Sequence, residues 1–127
     1  MNYLLDTNIF IDFYRGGQKA KDFLQNLPER SCSVITAAEL IQGARNKREL
    51  LTIKRQFLNL NLVNLSPSIG NVMLNIMEKH HLPHGLQIPD ALLAATAIEE
   101  KLALVTANTK HFSFIKGLKL LNWKTLH

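Results

Sequence analysis

Apolar residues along this chain follow two alternating rhythms. Short apolar runs with strand character are separated by longer stretches in which hydrophobic positions recur every three or four residues. Residues 2–6, with Tyr3, Leu4 and Leu5, predict a first strand, and a helix is expected from about Ile9 to a turn at Gly16-Gly17. Ala20, Phe23, Leu24 and Leu27 share one face of a second helix that stops before Pro28. Residues 31–35 read as strand two. Helix resumes at Thr36, loosens near Gly43 and continues through Leu50, Leu51, Ile53, Phe57 and Leu58. Residues 60–65 read as strand three. Ser66-Pro67, a capping hydroxyl with proline at the first helical position, opens a helix that runs to about His80 and is ended by Pro83. Ile88-Pro89-Asp90 opens the next helix, residues 91–101, ahead of strand four at 102–106. A short helical turn through His111 and Phe112 leads to a last strand near 118–121. Strands alternating with helices predict a layered α/β fold with a parallel sheet. No repeat or low-complexity tract divides the chain, so residues 1–127 are expected to form one domain.

Composition agrees with a globular core: 46% of the 127 residues are hydrophobic and 20% are charged. A single cysteine, Cys32, excludes an internal disulfide and favours a reducing compartment. It lies in an apolar strand, where a small core residue is expected rather than a nucleophile. The N-terminus has no basic start and meets Asp6 before any long apolar run, so it is not a signal peptide. No apolar stretch approaches the roughly 18 residues of a membrane span. A soluble, cytoplasmic protein without a membrane partner is expected.

Charge adds a partner class. The net charge is +5, and two stretches concentrate it. Arg45, Lys47, Arg48, Lys54 and Arg55 share their stretch with only Glu49, and Lys110, Lys116, Lys119 and Lys124 have no acid among them. Such surfaces attract polyanions by releasing counterions, although a solvated helix face and a charged tail explain the same runs.

The acids carry the chemistry. Asp6 ends strand one, Glu39 falls in the first helical turn after strand two, Asp90 opens a helix and Asn108 follows strand four. In an open parallel sheet, ligands collect outside the carboxyl ends of the strands, so these side chains can converge. Carboxylates held together repel one another unless a cation neutralises them, and an oxygen-only set suits Mg²⁺ or Mn²⁺. Each acid also has a structural explanation: Thr36-Ala37-Ala38-Glu39 matches a capping box, Asp90 suits a first-turn position, and Asp6 can cap the helix that follows it. His80 and His84 are four apart, but Pro83 is expected to break the helix that would align them, leaving cations near a helix end rather than a zinc pair. Phe10, Phe13, Phe23 and Phe57 sit at core spacings.

Four ordered blocks resemble PIN-domain ribonucleases, and closely the VapC toxins of bacterial toxin–antitoxin pairs. They are Tyr3-Leu4-Leu5-Asp6-Thr7-Asn8-Ile9-Phe10-Ile11; Ser33-Val34-Ile35-Thr36-Ala37-Ala38-Glu39-Leu40 with Gly43; Ile88-Pro89-Asp90-Ala91-Leu92-Leu93-Ala94-Ala95-Thr96-Ala97; and Leu104-Val105-Thr106-Ala107-Asn108 with His111-Phe112. The ending from Gly117-Leu118 to Asn122-Trp123 is also typical, so the resemblance covers essentially the whole chain. It implies a PIN-like three-layer α/β/α fold around a mainly parallel sheet of about five strands. It further implies metal-dependent endonucleolytic cleavage of RNA to 5′-phosphate and 3′-hydroxyl ends. Asp6, Glu39 and Asp90 become the ligands of Mg²⁺ or Mn²⁺, with Asn108 as a fourth catalytic position where many members have aspartate. Thr7, Asn8 and Thr106 are candidates to orient the carboxylates or meet substrate, and Arg15 is a candidate to reach a phosphate. Capping by Thr7 or Asn8, and an exposed helix end at Arg15, explain those residues equally well. The resemblance also implies a homodimer and a cognate VapB-like antitoxin. A housekeeping RNA-processing nuclease and a non-catalytic RNA- or protein-binding module remain alternatives, the latter supported only by Asn108.

Overall fold

In the computed structural model, which describes residues 2–27 and 29–125, strands and helices alternate through a single sheet. The order is β1 Tyr3–Leu5, α1 Thr7–Tyr14, α2 Gln18–Asn26, β2 Arg30–Ser33, α3 Val34–Gln42, α4 Lys47–Phe57, β3 Asn61–Val63, α5 Pro67–His84, α6 Ile88–Glu99, β4 Ala103–Val105 and β5 Leu120–Leu121, with one 3-10 turn at Thr109–His111. The five strands lie in the order β3-β2-β1-β4-β5 and every pairing is parallel. The chain lays β1, β2 and β3 outward in one direction, then returns to place β4 on the other side of β1. That reversal makes the β1–β4 seam the topological switch point, where the connections leave in opposite directions and a crevice opens at the strand ends.

Side-chain alternation in the strands divides the core into two layers. Leu4 and Leu104 face α5, α6 and the segment carrying Phe112 and Ile115. Leu5 and Val105 face α1 to α4, together with Cys32 and Trp123. Leu4, Leu5, Leu104 and Val105 are wholly buried, each worth about 1.5–3 kcal/mol of transfer free energy. The three-layer α/β/α architecture with five parallel strands is the expected one.

Several boundaries differ from the sequence expectation. Helix α1 begins at Thr7, not near Ile9, because Asp6 caps it: Asp6 Oδ1 accepts from the Thr7 backbone N–H at 2.7 Å. Helix α3 begins at Val34, capped by Ser33, whose Oγ accepts from the Ile35 backbone N–H at 3.1 Å. Thr36 is therefore a buried interior residue, the capping box with Glu39 does not form, and Glu39 lies in the second turn rather than the first. Strands β2 and β3 are shorter than their apolar runs, since residues 34 and 35 join α3 and only Asn61–Val63 pair with β2. Helix α5 passes through Pro83 to His84. Proline in the last turn removes a single backbone donor, and the helix closes beyond it at Gly85, left-handed at φ 70°, whose N–H reaches His81 O at 2.7 Å. Pro28, the expected stop of the second helix, lies outside the described residues. Phe10 is fully buried and Phe13, Phe23 and Phe57 pack against the same layer, as their spacing indicates.

Candidate active site at the strand ends

Asp6 leaves β1 at the switch point, Asn108 follows β4, Glu39 projects from α3 and Asp90 is the third residue of α6. All four line one cleft of about 290 Å³, together with Thr7, Asn8, Ile11, Pro89 and Leu93. Residues from four separate segments thus meet outside the carboxyl ends of β1 and β4.

Asp6 is held by a dense set of donors. Thr106 Oγ1 donates to Asp6 Oδ2 at 2.8 Å, and Asn8 Nδ2 donates to the same oxygen at 3.3 Å. The Thr106 hydroxyl accepts in turn from Asn8 Nδ2 at 3.3 Å and from the Asn108 backbone N–H at 3.0 Å, which uses all its hydrogen-bonding capacity. Trp123 Nε1 donates to Asn8 Oδ1 at 3.1 Å. An indole N–H is only a donor, so this bond fixes which end of the Asn8 amide faces Asp6. Thr106 and Trp123 are buried, and Asp6 itself is only 8% exposed.

Glu39 and Asp90 are anchored more loosely. Glu39 accepts one long bond, from Thr7 Oγ1 at 3.5 Å. Asp90 Oδ2 stands 3.6 Å from His111 Nδ1, in a pair that remains partly exposed. Among the described residues no three His, Cys, Asp or Glu side chains are near enough to share an ion without moving. Burial pushes the Asp6 carboxyl up from its ordinary value, against the lowering effect of Thr106 and the Thr7 N–H. Glu39 and Asp90 are raised first by burial and then by the charge of Asp6, with Asp90 adding to Glu39 and His111 offsetting part of the rise at Asp90. Burial makes all three carboxylates costly to ionise, and the charge of Asp6 adds to that cost at Glu39 and Asp90, a condition that a cation relieves.

The remaining candidates separate clearly. Thr7 and Asn8 line the cleft, whereas Thr106 lies beneath Asp6. Arg15 is not in the cleft; it borders an adjoining groove of about 480 Å³ that shares Thr7, Ile11 and Glu39 with it. Cys32 is wholly buried and its thiol is pushed up to about 12 by burial, so it is an inert core residue. Sequence reasoning missed His111 as the neighbour of Asp90 and Trp123 as the anchor of Asn8. His111 stood in a matching block three residues after Asn108, a usable signal. Nothing in the sequence signalled that Trp123 reaches back across 115 residues to Asn8.

Comparison with known proteins places the chain. Residues 3–117 match the model of the PIN domain. The chain belongs to the PIN-domain family. This PIN domain is 32% identical over 123 residues to "Ribonuclease VapC1" of Methanocaldococcus jannaschii, covering 92% of the chain and 85% of that relative. It is 30% identical over 122 residues to "Ribonuclease VapC10" of Mycobacterium tuberculosis, covering 91% of the chain and 90% of the relative. Among solved structures, a toxin–antitoxin complex from Klebsiella pneumoniae matches with a TM-score of 0.82 and 31% identity, covering 95% of this chain and 97% of that one.

Proposed function

We propose that this PIN domain is a Mg²⁺- or Mn²⁺-dependent endoribonuclease, the toxin of a VapBC-type pair, in which Asp6, Glu39, Asp90 and Asn108 form the catalytic cleft. The convergence of Asp6, Glu39 and Asp90 from distant segments onto one cleft at the switch point carries the proposal. The names of the similar proteins, ribonucleases and a toxin–antitoxin complex, supply the substrate and the partner class. The likeness to a toxin–antitoxin complex supports restraint by a VapB-like antitoxin, and the motif resemblance supports a homodimer and a single cytoplasmic domain. No helix among the described residues is long and apolar enough to cross a membrane.

The donor set suits a hard divalent ion, being all oxygen and held in a partly buried cleft where uncompensated charge is unfavourable. Such an ion supplies Lewis acidity at the phosphoryl oxygen and a water that ionises near neutral pH. Asp6, Glu39 and Asp90 would hold it, and Asn108 would contribute an uncharged oxygen to the same wall. Thr106 and Asn8 hold Asp6 in one orientation, so its oxygens need no reorganisation as charge builds at the phosphate. Thr7 lies at the border of the cleft and the adjoining groove, where it can meet the RNA backbone.

The test is cleavage of a labelled RNA by purified protein across a Mg²⁺ and Mn²⁺ titration with EDTA as control. Activity should appear with either ion and vanish with EDTA. Asp6→Asn and Asp90→Asn should each abolish cleavage while both proteins still unfold in one cooperative thermal transition, since asparagine can replace Asp6 as the cap of α1 and Asp90 is a partly exposed first-turn residue of α6. Full activity in EDTA, or in either variant, overturns the proposal.

A further inference from the structure

A second groove, of about 460 Å³, lies between α5, the far half of α6 and residues 114–116. Lys79 and Lys116 border it, and no acidic residue lines it. Both lysines are exposed, and the ion pairs among the described residues are Arg45–Glu49 and His111–Asp90, so neither lysine is neutralised by a carboxylate. At one end stands a cluster of rings. His84 stacks on Phe114 with centroids 4.0 Å apart and planes 18° apart, and His80 closes on Phe114 at 5.0 Å and on His84 at 5.6 Å. This cluster exists because α5 continues through Pro83, which puts His80 and His84 on one helical face.

The ring cluster and the catalytic cleft lie close along the chain on two segments. His84 precedes by four residues the start of α6, which carries Asp90 in its first turn. Phe114 follows by three residues His111, the neighbour of Asp90. From Asp90 to Ile98, which lines the groove, α6 advances about 12 Å at 1.5 Å per residue. Cations and flat rings alternating along a groove are the means by which proteins hold single-stranded nucleic acid without reading its sequence.

We propose that this groove carries the single-stranded flank of the RNA substrate, with Lys79 and Lys116 meeting phosphates and a base stacking on the exposed ring of His84, which lies against Phe114 beside the groove. The inference rests on the RNA-cleaving function proposed for the cleft and extends it to a site outside the acids. It gives a role to part of the basic C-terminal stretch, and it commits to single-stranded RNA because the lining is cationic and aromatic. The positive surroundings of His80, whose proton is held less tightly owing to burial and then to His84 and Lys79, agree with an anion-seeking groove.

Binding and cleavage are read separately. Fluorescence anisotropy in EDTA measures the affinity of full-length protein for a labelled 12-nucleotide oligouridylate, and metal-supplemented assays measure cleavage of that strand and of a trinucleotide. Lys79→Glu with Lys116→Glu should weaken the 12-mer about tenfold or more and reduce the slope of log affinity against log salt by about two, one for each phosphate no longer neutralised. His84→Ala should weaken it about fivefold with the salt slope unchanged. Trinucleotide cleavage should not change in either, which also reports intact folding. Unchanged 12-mer affinity, equal losses on both substrates, or equal weakening for a 12-base-pair DNA duplex overturns the groove as a site for single-stranded RNA. Absence of cleavage by the parent protein defeats the catalytic proposal instead, while the anisotropy comparison still decides the groove.

Discussion

The two sides of the catalytic cleft are built differently. On the sheet side, Asp6 sits at the end of a buried strand, accepts from Thr106, Asn8 and the Thr7 N–H, and is backed by Trp123 through Asn8. On the helix side, Glu39 and Asp90 project from α3 and α6 with one long interaction each, to Thr7 and His111. Both sides carry acids, but only the sheet side is a closed hydrogen-bonded network. A strand end fixed by neighbours on both edges gives a rigid mount, and buried donors that are fully used tolerate no second arrangement. A glutamate on a helix surface, with one long hydrogen bond, retains rotamer freedom. In the proposed mechanism Asp6 is therefore the fixed ligand around which the other two close when a cation is present.

The largest effect that would break this contrast is expected at Thr106. Thr106→Val keeps the shape of the side chain and removes the donor to Asp6, so cleavage and metal affinity should each fall about 10–100-fold. A loss below about threefold would mean that the network does not set Asp6. Next comes Trp123→Phe, which removes the buried indole and leaves Asn8 Oδ1 without its donor. Chemical denaturation should record a loss of about 1–3 kcal/mol, with a smaller loss of activity than at Thr106. An unchanged midpoint would remove Trp123 from the network. On the other side, Thr7→Val deletes the 3.5 Å bond to Glu39 along with the hydroxyl that can meet the RNA backbone, and the cleavage rate at saturating RNA should fall less than roughly threefold if Glu39 is set by the cation rather than by the protein. A fall as large as that of Thr106→Val would erase the distinction between the two sides.

The smallest expected effect is in the pH dependence of stability. Asp6, Glu39 and Asp90 all have carboxyls raised in the folded chain, chiefly by burial. The folded chain therefore keeps protons that the unfolded chain has released, and their contribution to stability is complete below the ordinary carboxylate range, about pH 4, and is lost as pH rises through the folded values. In EDTA, Asp90→Asn should gain Tm relative to the parent as pH goes from about 4 to about 7, and Mg²⁺ should restore the parent's stability at neutral pH. A constant difference across that range would show that the three charges do not burden the fold.

Much of the architecture could be read from the chain itself, because periodicity reports which positions avoid water. The strand–helix alternation and the parallel sheet both come from local pattern. Asp6, Glu39, Asp90 and Asn108 could likewise each be placed near a strand end or the start of a helix, whereas their meeting in one cleft depends on β4 lying beside β1. Boundaries failed where capping chemistry competes with apolar character: Ser33 starts α3 inside an apolar run, and Gly85 lets α5 run past Pro83. The second failure hid the His80–His84–Phe114 cluster, since two of its rings were assigned to opposite sides of a break that does not exist.

By itself, then, the sequence determined which segments are strands and helices and which acids stand ready at their ends, for these depend on neighbours within a few residues. Only the tertiary structure decided that β4 returns beside β1, that Thr106 and Trp123 lock Asp6 and Asn8 from about a hundred residues away, and that α5 and residues 114–116 enclose a basic groove. These depend on which distant surfaces exclude water together, and no local pattern encodes that choice.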